Sequence, residues 1–299
     1  MPQISLGETV PRVAIVTDSM ACLTQGQTSE YDIRVVPIAI HFDGRVYHDG
    51  VDLSASEAYH LLERAPDRFT TSPPTPEEWA STFRELATKT GDILCITLSA
   101  KLSTEINLVN LAREQLKKDF PNVNIETIDS QNVAAGQALI VLYAARLAKQ
   151  GKLLAEIAQA VHDLRNHVHL LLVFETMRYI YRTGRIPKTA ARIAAATGVK
   201  PVVTVAEGSL HFRWVTRNKR HGINRLIEMM HHLVGSKLVH VAVMHADSPK
   251  EAEELEKRVG AQFNCVELFV AEFSPAIGYG TGPGVVGLAF HSSPEETSQ

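Results

Sequence analysis

The sequence predicts an α/β protein of two units. Residues 1–165 form an N-terminal parallel-sheet, Rossmann-like domain. Residues 166–299 form a C-terminal mixed α/β domain with a partly antiparallel sheet. Three observations predict this. Short β-branched apolar runs alternate with helical stretches through the first half, the pattern of a parallel sheet with helices on its faces. Past residue 168 the rhythm changes, and strand-like runs there are joined by a tight turn. The chain has 299 residues, 45% of them hydrophobic, which is long and apolar enough for two cores.

The first strand signal is RVAIVTD (12–18), apolar throughout and so buried on both faces. Asp18 or Ser19 caps the next element. In residues 33–50 the Asp43-Gly44 pair separates two strand-like runs and predicts a hairpin. Residues 53–65 read as a helix, with Ser54 and Glu57 spaced as a capping box. DRFTTSPPTP (67–76) carries prolines at 73, 74 and 76, which exclude a helix and a central strand. It reads as a stiff loop presenting Thr70, Thr71 and Ser72, with a helix starting at Pro76. Strand 92–99, helix 105–120, strand 123–130 and helix 135–151 come after it, the last stopped by Gly151.

Helix 153–167 and strand 168–174 lead into the second unit. Helices come next in TMRYIYRTG and TAARIAAATG. Residues 200–215 contain a Glu207-Gly208 turn between two strand-like runs. A helix, strand 238–247, a helix, strand 264–273 and a last strand in VVGLAFHS complete the pattern. Before that strand, IGYGTGPGVVG (277–287) places glycines at 278, 280, 282 and 284. It lacks the dinucleotide-binding glycine spacing and the Lys-Ser/Thr of a P-loop. It reads as a loop that lets a ligand head group or the opposing unit approach the backbone closely. The tail SSPEETSQ is polar and frayed.

Composition excludes several function classes. The net charge of −3 carries no basic excess for nucleic acid. The basic stretch at 213–221 reads as a solvated helix start. No apolar run reaches the length of a spanning helix, and the first residues lack a signal-peptide pattern, so no stable membrane anchor is expected. Cys22, Cys95 and Cys265 are widely spaced and form no C-x-x-C pair, which fits free thiols in a reducing compartment. The expected location is cytoplasmic. Of the 13 histidines, His162, His167 and His169 lie close in sequence; His167 and His169 would share one strand face, but no carboxylate or third ligand stands with them at recognisable metal spacing. No metal site is expected, and His245 at a strand end reads as a packing or hydrogen-bonding residue.

Ligands of open α/β sheets bind at the carboxyl ends of strands. The residues expected there are Thr17, Asp18, Ser19, Thr97, Ser99, Ser103, Asp129 and Ser130, with Thr71 and Ser72 on the proline loop. The set is rich in hydroxyls and poor in bases, and no G-x-S-x-G elbow occurs. Hydroxyls and helix-start N–H groups can hold a carboxylate or phosphate without catalysis. Ser19, Ser54 and Ser130 read first as caps. Arg185, after Thr183-Gly184 and before Pro187, has two open readings: an anion clamp on a sharp turn, or a surface arginine at a helix C-terminus.

Several stretches in one order resemble the DegV family of bacterial fatty-acid-binding proteins. VAIVTDSMACL with VVPIAIHFDGRVYHDGVDLS resembles its N-terminal signature, TTSPPTPEEW its T-S-Q-P-S-P loop, and ITLSAKLS its S-S-x-L-S-G-T-Y segment. TIDSQNVAAGQ, YRTGRI (family K-G-G-R-I), GVKPVVTVAEGSL and the glycine stretch (family I-G-x-H-T-G-P-G) continue it, over residues 12–290. The resemblance implies a non-enzymatic carrier of one long-chain fatty acid, such as palmitate, with no cofactor. It places the carboxylate at the domain interface and the acyl chain inside the second unit. Thr71 and Ser99 would be carboxylate contacts, Ser72 and Ser103 stand beside them, and backbone N–H groups of residues 99–103 and 278–281 would assist. Gly278, Gly280 and Thr281 would form one lip of this site, and Arg185 would match the arginine that helps present the acyl group to a fatty acid kinase.

The chain departs from the family pattern at Ala100, in STEI (103–106), and at Gly280, where the family carries histidine. Gly280 counts against kinase coupling, although Tyr279 beside it offers a hydroxyl. Two alternatives stay open: a lipid sensor or store without a kinase, and an α/β hydrolase or phosphoryl-handling enzyme using Ser99 or Thr71 with Arg185.

Overall fold

The computed structural model describes residues 13–186 and 198–292. The helix expected at 189–198 falls on residues outside that set up to position 197, as does the tail from 293.

The first sheet is parallel and four-stranded, in the order β2-β1-β6-β7, from β1 (Val13–Asp18), β2 (Arg34–Val36), β6 (Asp92–Thr97) and β7 (Asn124–Asp129). Chain order reverses on the two sides of β1, so the crevice at the carboxyl ends of β1 and β6 is the switch point of the sheet. A second sheet is antiparallel, in the order β4-β3-β5, from β3 (Ala39–Phe42), β4 (Arg45–His48) and β5 (Phe69–Ser72). Its β3–β4 hairpin turns at Asp43-Gly44, both with positive φ, as the sequence pattern predicts. The third sheet has six strands in the order β10-β9-β8-β13-β11-β12. It comprises β8 (His169–Val173), β9 (Lys200–Ala206), β10 (Ser209–Thr216), β11 (Leu238–His245), β12 (Asn264–Glu272) and β13 (Val286–Ser292). Only β11 and β12 pair in parallel. The predicted mixture of a parallel and a partly antiparallel sheet is therefore present.

Helices α1 (Gln25–Tyr31), α2 (Ala55–Arg64), α3 (Pro76–Ala87), α4 (Glu105–Leu116) and α5 (Ala134–Lys149) belong to the first half. The capping box at Ser54 and Glu57 forms as expected. Helix α5 is apolar on nearly every side, which commits it to burial rather than to a surface. It packs against β1 and also against β8, β11 and β13, so one apolar core runs from the first sheet to the third. Helices α6 (Leu154–Arg165), α7 (Arg178–Arg182), α8 (Lys219–Val234), α9 (Pro249–Gln262) and α10 (Pro275–Thr281) complete the set. Among the described residues, no helix is long and apolar enough to cross a membrane.

Two segments differ from the sequence reading. Residues Phe69–Ser72 are not loop but β5, an edge strand that hydrogen-bonds to β3. Pro73 ends the strand instead of forbidding it, as the edge position permits. The glycine stretch is helical in its first half. Ser274 caps α10 by accepting from Ile277 N–H, Pro275 opens the helix, and Gly282 at φ 70° closes it. Gly278 and Gly280 lie inside this short helix because neighbours crowd them. A Cβ on Gly278 would stand 2.6 Å from Cε1 of Tyr59.

Candidate functional site

A cavity opens between the sheets, with about 860 Å³ of empty space including its mouth. Its enclosed part measures about 120 Å³, and the rest opens to solvent. Its wall is drawn from every layer: β5, the loop after β6, the start of α5, β8, α7, β10, the end of β12, and α10. Leu172, Phe174, Ile180, Leu210, Phe273 and Ile277 make most of it apolar, with Met20, Ile38, Leu98 and Leu102. Thr71, Ser72, Ser103, Thr183, Arg185, Gly280 and Thr281 also line it. Six of the eight residues singled out in the sequence thus share one cavity.

Their hydrogen-bond inventory separates spare donors from committed ones. Thr71 Oγ1 has no partner among the described residues. Ser103 Oγ accepts from Glu105 N–H at 3.2 Å, which leaves its own proton free. Ser72 Oγ lies 2.8 Å from His41 Nε2. Thr281 Oγ1 donates to Ile277 O at 3.2 Å. Arg185 is exposed; its Nε donates to Leu102 O at 3.3 Å and its Nη1 to Thr183 O at 2.7 Å. It has no carboxylate partner among the described residues, so Nη2 remains available to an anion. Tyr279 lines the cavity, and its ring stacks on Phe69 with centroids 5.9 Å apart.

Ser99 and Gly278 stand outside the lining. Ser99 is fully buried, and its Oγ donates to Gly208 O at 2.7 Å while accepting from Lys101 N–H. The proton expected for a carboxylate instead ties the first sheet to the β9–β10 turn. The backbone N–H groups of residues 99–103 are engaged too. Ser99 N–H binds Asn132 O, Ala100 N–H binds Asp129 Oδ1, and Leu102 and Ser103 N–H bind Ser99 O. The sequence hides the bonds of Ser99 and of Ala100 N–H, because Asn132, Asp129 and Gly208 lie about thirty or more residues away.

Beneath the loop lies a buried acid pair, of which the sequence pointed to Asp18 but not to Glu105. Asp18 accepts from Leu98 N–H, Met20 N–H and Gln137 Nε2, yet burial pushes its carboxyl up to about 6. Glu105, the first residue of α4, is buried with neither oxygen partnered among the described residues. Burial, and then the charge of Asp18, hold its carboxyl well above the ordinary range. Its sequence signal was a capping-zone glutamate, which ordinarily faces water. On the far side of the wall, Asp49 accepts from Ser19 Oγ and Ala276 N–H and anchors α10; burial raises its carboxyl to about 6.

The chain matches the family model described as an uncharacterised protein, DegV family, over residues 12–293. A DegV domain-containing protein of Caldanaerobacter subterraneus subsp. tengcongensis is 30% identical over 280 residues, covering 93% of this chain and 98% of that protein. Among solved structures, a stearic acid-binding protein from Eubacterium ventriosum superposes with TM-score 0.87 at 25% identity, covering 94% of this chain and 98% of that one. A DegV family protein from Thermus thermophilus, described with its fatty acid binding, has TM-score 0.87 at 24% identity, covering 94% and 100%.

Proposed function

Given that this chain belongs to the DegV family, we propose that it is a carrier for one long-chain fatty acid, held in the cavity between the sheets. The observation that carries the reading is a largely apolar cavity whose spare donors include the Thr71 and Ser103 hydroxyls and the Arg185 guanidinium. In this reading the carboxylate meets Thr71, Ser103 and Arg185, at the interface of units 1–165 and 166–299. Ser72, Gly280 and Thr281 complete the surround. Ser99 and Gly278 support the wall from behind. The acyl chain runs along Leu172, Phe174 and Phe273, which belong to the second unit.

The energetics suit a carrier. Each buried methylene contributes about 0.8 kcal/mol, so a sixteen-carbon chain gains about 12 kcal/mol gross. Ordering the chain and losing its free motion removes several kcal/mol. The head group then needs orientation more than attraction. Coupling to a fatty acid kinase is the resemblance's implication; Gly280 in place of the family histidine favours a carrier or store without it. Incubation of the loaded protein with a bacterial fatty acid kinase and ATP is expected to give little acyl phosphate, and phosphorylation at an ordinary rate would reverse that preference.

Organic extraction of the purified protein followed by mass spectrometry is expected to release a long-chain fatty acid near one per chain. If none is found, and added palmitate or oleate does not bind, the reading fails. Removing one hydrogen bond to a charged group costs about 1.5–3 kcal/mol. Thr71→Ala is therefore expected to weaken palmitate by about tenfold or more in a calorimetric titration, and Thr71→Ala with Arg185→Gln by more. Unchanged affinity in the double variant would remove these residues from the head-group site.

A further inference from the structure

Two residues of the cavity lining, Thr183 and Gly280, meet in space. Thr183 stands within YRTGRI and Gly280 within IGYGTGPG. The first is at the end of α7 and the second is inside α10, 97 positions apart in the chain. A Cβ built on Gly280 would stand 3.3 Å from the Thr183 methyl and 3.8 Å from Ile180 Cδ1. The first separation is tighter than side chains ordinarily tolerate. Gly280 does not sit at positive φ, so its backbone does not require glycine. A glycine inside a helix costs about 1 kcal/mol against alanine. A side chain at position 280 would press on the Thr183 methyl, which would have to give by a few tenths of an ångström.

Thr183 cannot turn away. Its Oγ1 donates to Ile180 O at 2.7 Å and accepts from Arg185 N–H at 3.2 Å. Those two bonds fix the rotamer and direct the methyl at Gly280. They also hold Arg185 from its own backbone. With Arg185 Nη1 on Thr183 O, threonine touches this arginine at both ends. Gly184, at φ 70°, makes the turn between them.

We infer that Thr183 and Gly280 are one compensated pair at the cavity mouth, in which Thr183 fills the space above Gly280 and positions Arg185 toward an anionic head group. This rests on the fatty-acid reading only for the identity of the anion; the packing of the pair stands apart from it. Thr183 is a positioning residue, since it acts through Arg185.

The test is a double-mutant cycle with palmitate affinity and thermal unfolding as separate readouts. Gly280→His alone is expected to lower the unfolding temperature and weaken palmitate at least tenfold, because the ring meets the Thr183 methyl. Thr183→Gly with Gly280→His is expected to recover most of the unfolding temperature lost in Gly280→His, while palmitate stays about tenfold weak because the Thr183 hydroxyl is gone. If its unfolding temperature is as low as the two single changes combined would make it, the pair is not compensated. The positioning role is read from conservative changes. Thr183→Ser keeps the hydroxyl and is expected to stay within threefold of wild type. Thr183→Val keeps the branch, loses both hydroxyl bonds, and is expected to bind about tenfold more weakly with a similar unfolding temperature. Wild-type affinity in Thr183→Val overturns the positioning role. Should the wild type bind no fatty acid, the function fails, while recovery of unfolding temperature in the double variant still decides the packing.

Discussion

Ala276→Trp is expected to empty the protein of fatty acid. Ala276 lies near the start of α10, lines the cavity, and is almost fully buried. Its N–H donates to Asp49, a backbone bond that any side chain preserves. An indole there projects into space the acyl chain would use. Displacing even four methylenes removes about 3 kcal/mol, which is more than a hundredfold in affinity at about 1.4 kcal/mol per tenfold. Palmitate titration and mass spectrometry of the purified variant check this. Because the ring enters an existing void, the unfolding temperature is expected to change by a few degrees at most. Overpacking is the competing outcome, so Leu210→Trp serves as a second probe. Leu210 lines the same cavity from β10 and is only partly buried, which gives its backbone room to adjust. If both variants bind palmitate as wild type does, the chain does not lie in this cavity.

Glu105→Gln is expected to stabilise the protein increasingly as pH rises. The buried carboxyl has no hydrogen-bond partner among the described residues, and Asp18 stands nearby, so the folded state favours its neutral form. Its ordinary value is 4.5. Below that, the group is protonated in both the folded and unfolded states and contributes nothing to pH dependence. Above it, the unfolded chain releases the proton while the folded chain retains it. Stability then falls by about 1.4 kcal/mol per pH unit until the raised folded value is passed. The glutamine variant lacks this loss. Asp18 and Asp49, each raised from 3.8 to about 6, add a similar decline between those values, and both remain in the variant. Urea unfolding from pH 4 to pH 9 should show the two proteins nearly equal at the acid end and diverging above it. Parallel curves would mean that Glu105 ionises freely and is hydrated in solution.

Much of the fold was legible because its signals are local. A β-branched run, a Ser-x-x-Glu box, or an Asp-Gly turn constrains backbone within a few residues. These placed the β3–β4 hairpin, α2, α5 and the alternation of the first sheet. The glycine stretch misled because four alternating glycines read as a loop, while Ser274-Pro275 just before them carried the helix-start signal. The prolines after Ser72 likewise hid an edge strand whose pairing with β3 is a distant event. The candidate hydroxyls could be collected from strand ends, but which of them keep a free proton could not.

By itself the sequence determined the α/β class, the order of most elements and the family to which the chain belongs, since each follows from short patterns or from many of them in one order. The tertiary structure alone decided that Thr71, Ser103 and Arg185 share a cavity, that Ser99 donates instead to Gly208 109 positions away, and that Thr183 fills the space above Gly280. The physical reason is the range of the interactions. Backbone preference acts over a few residues, whereas a spare donor or a filled void depends on atoms brought together only when the sheets close around the core.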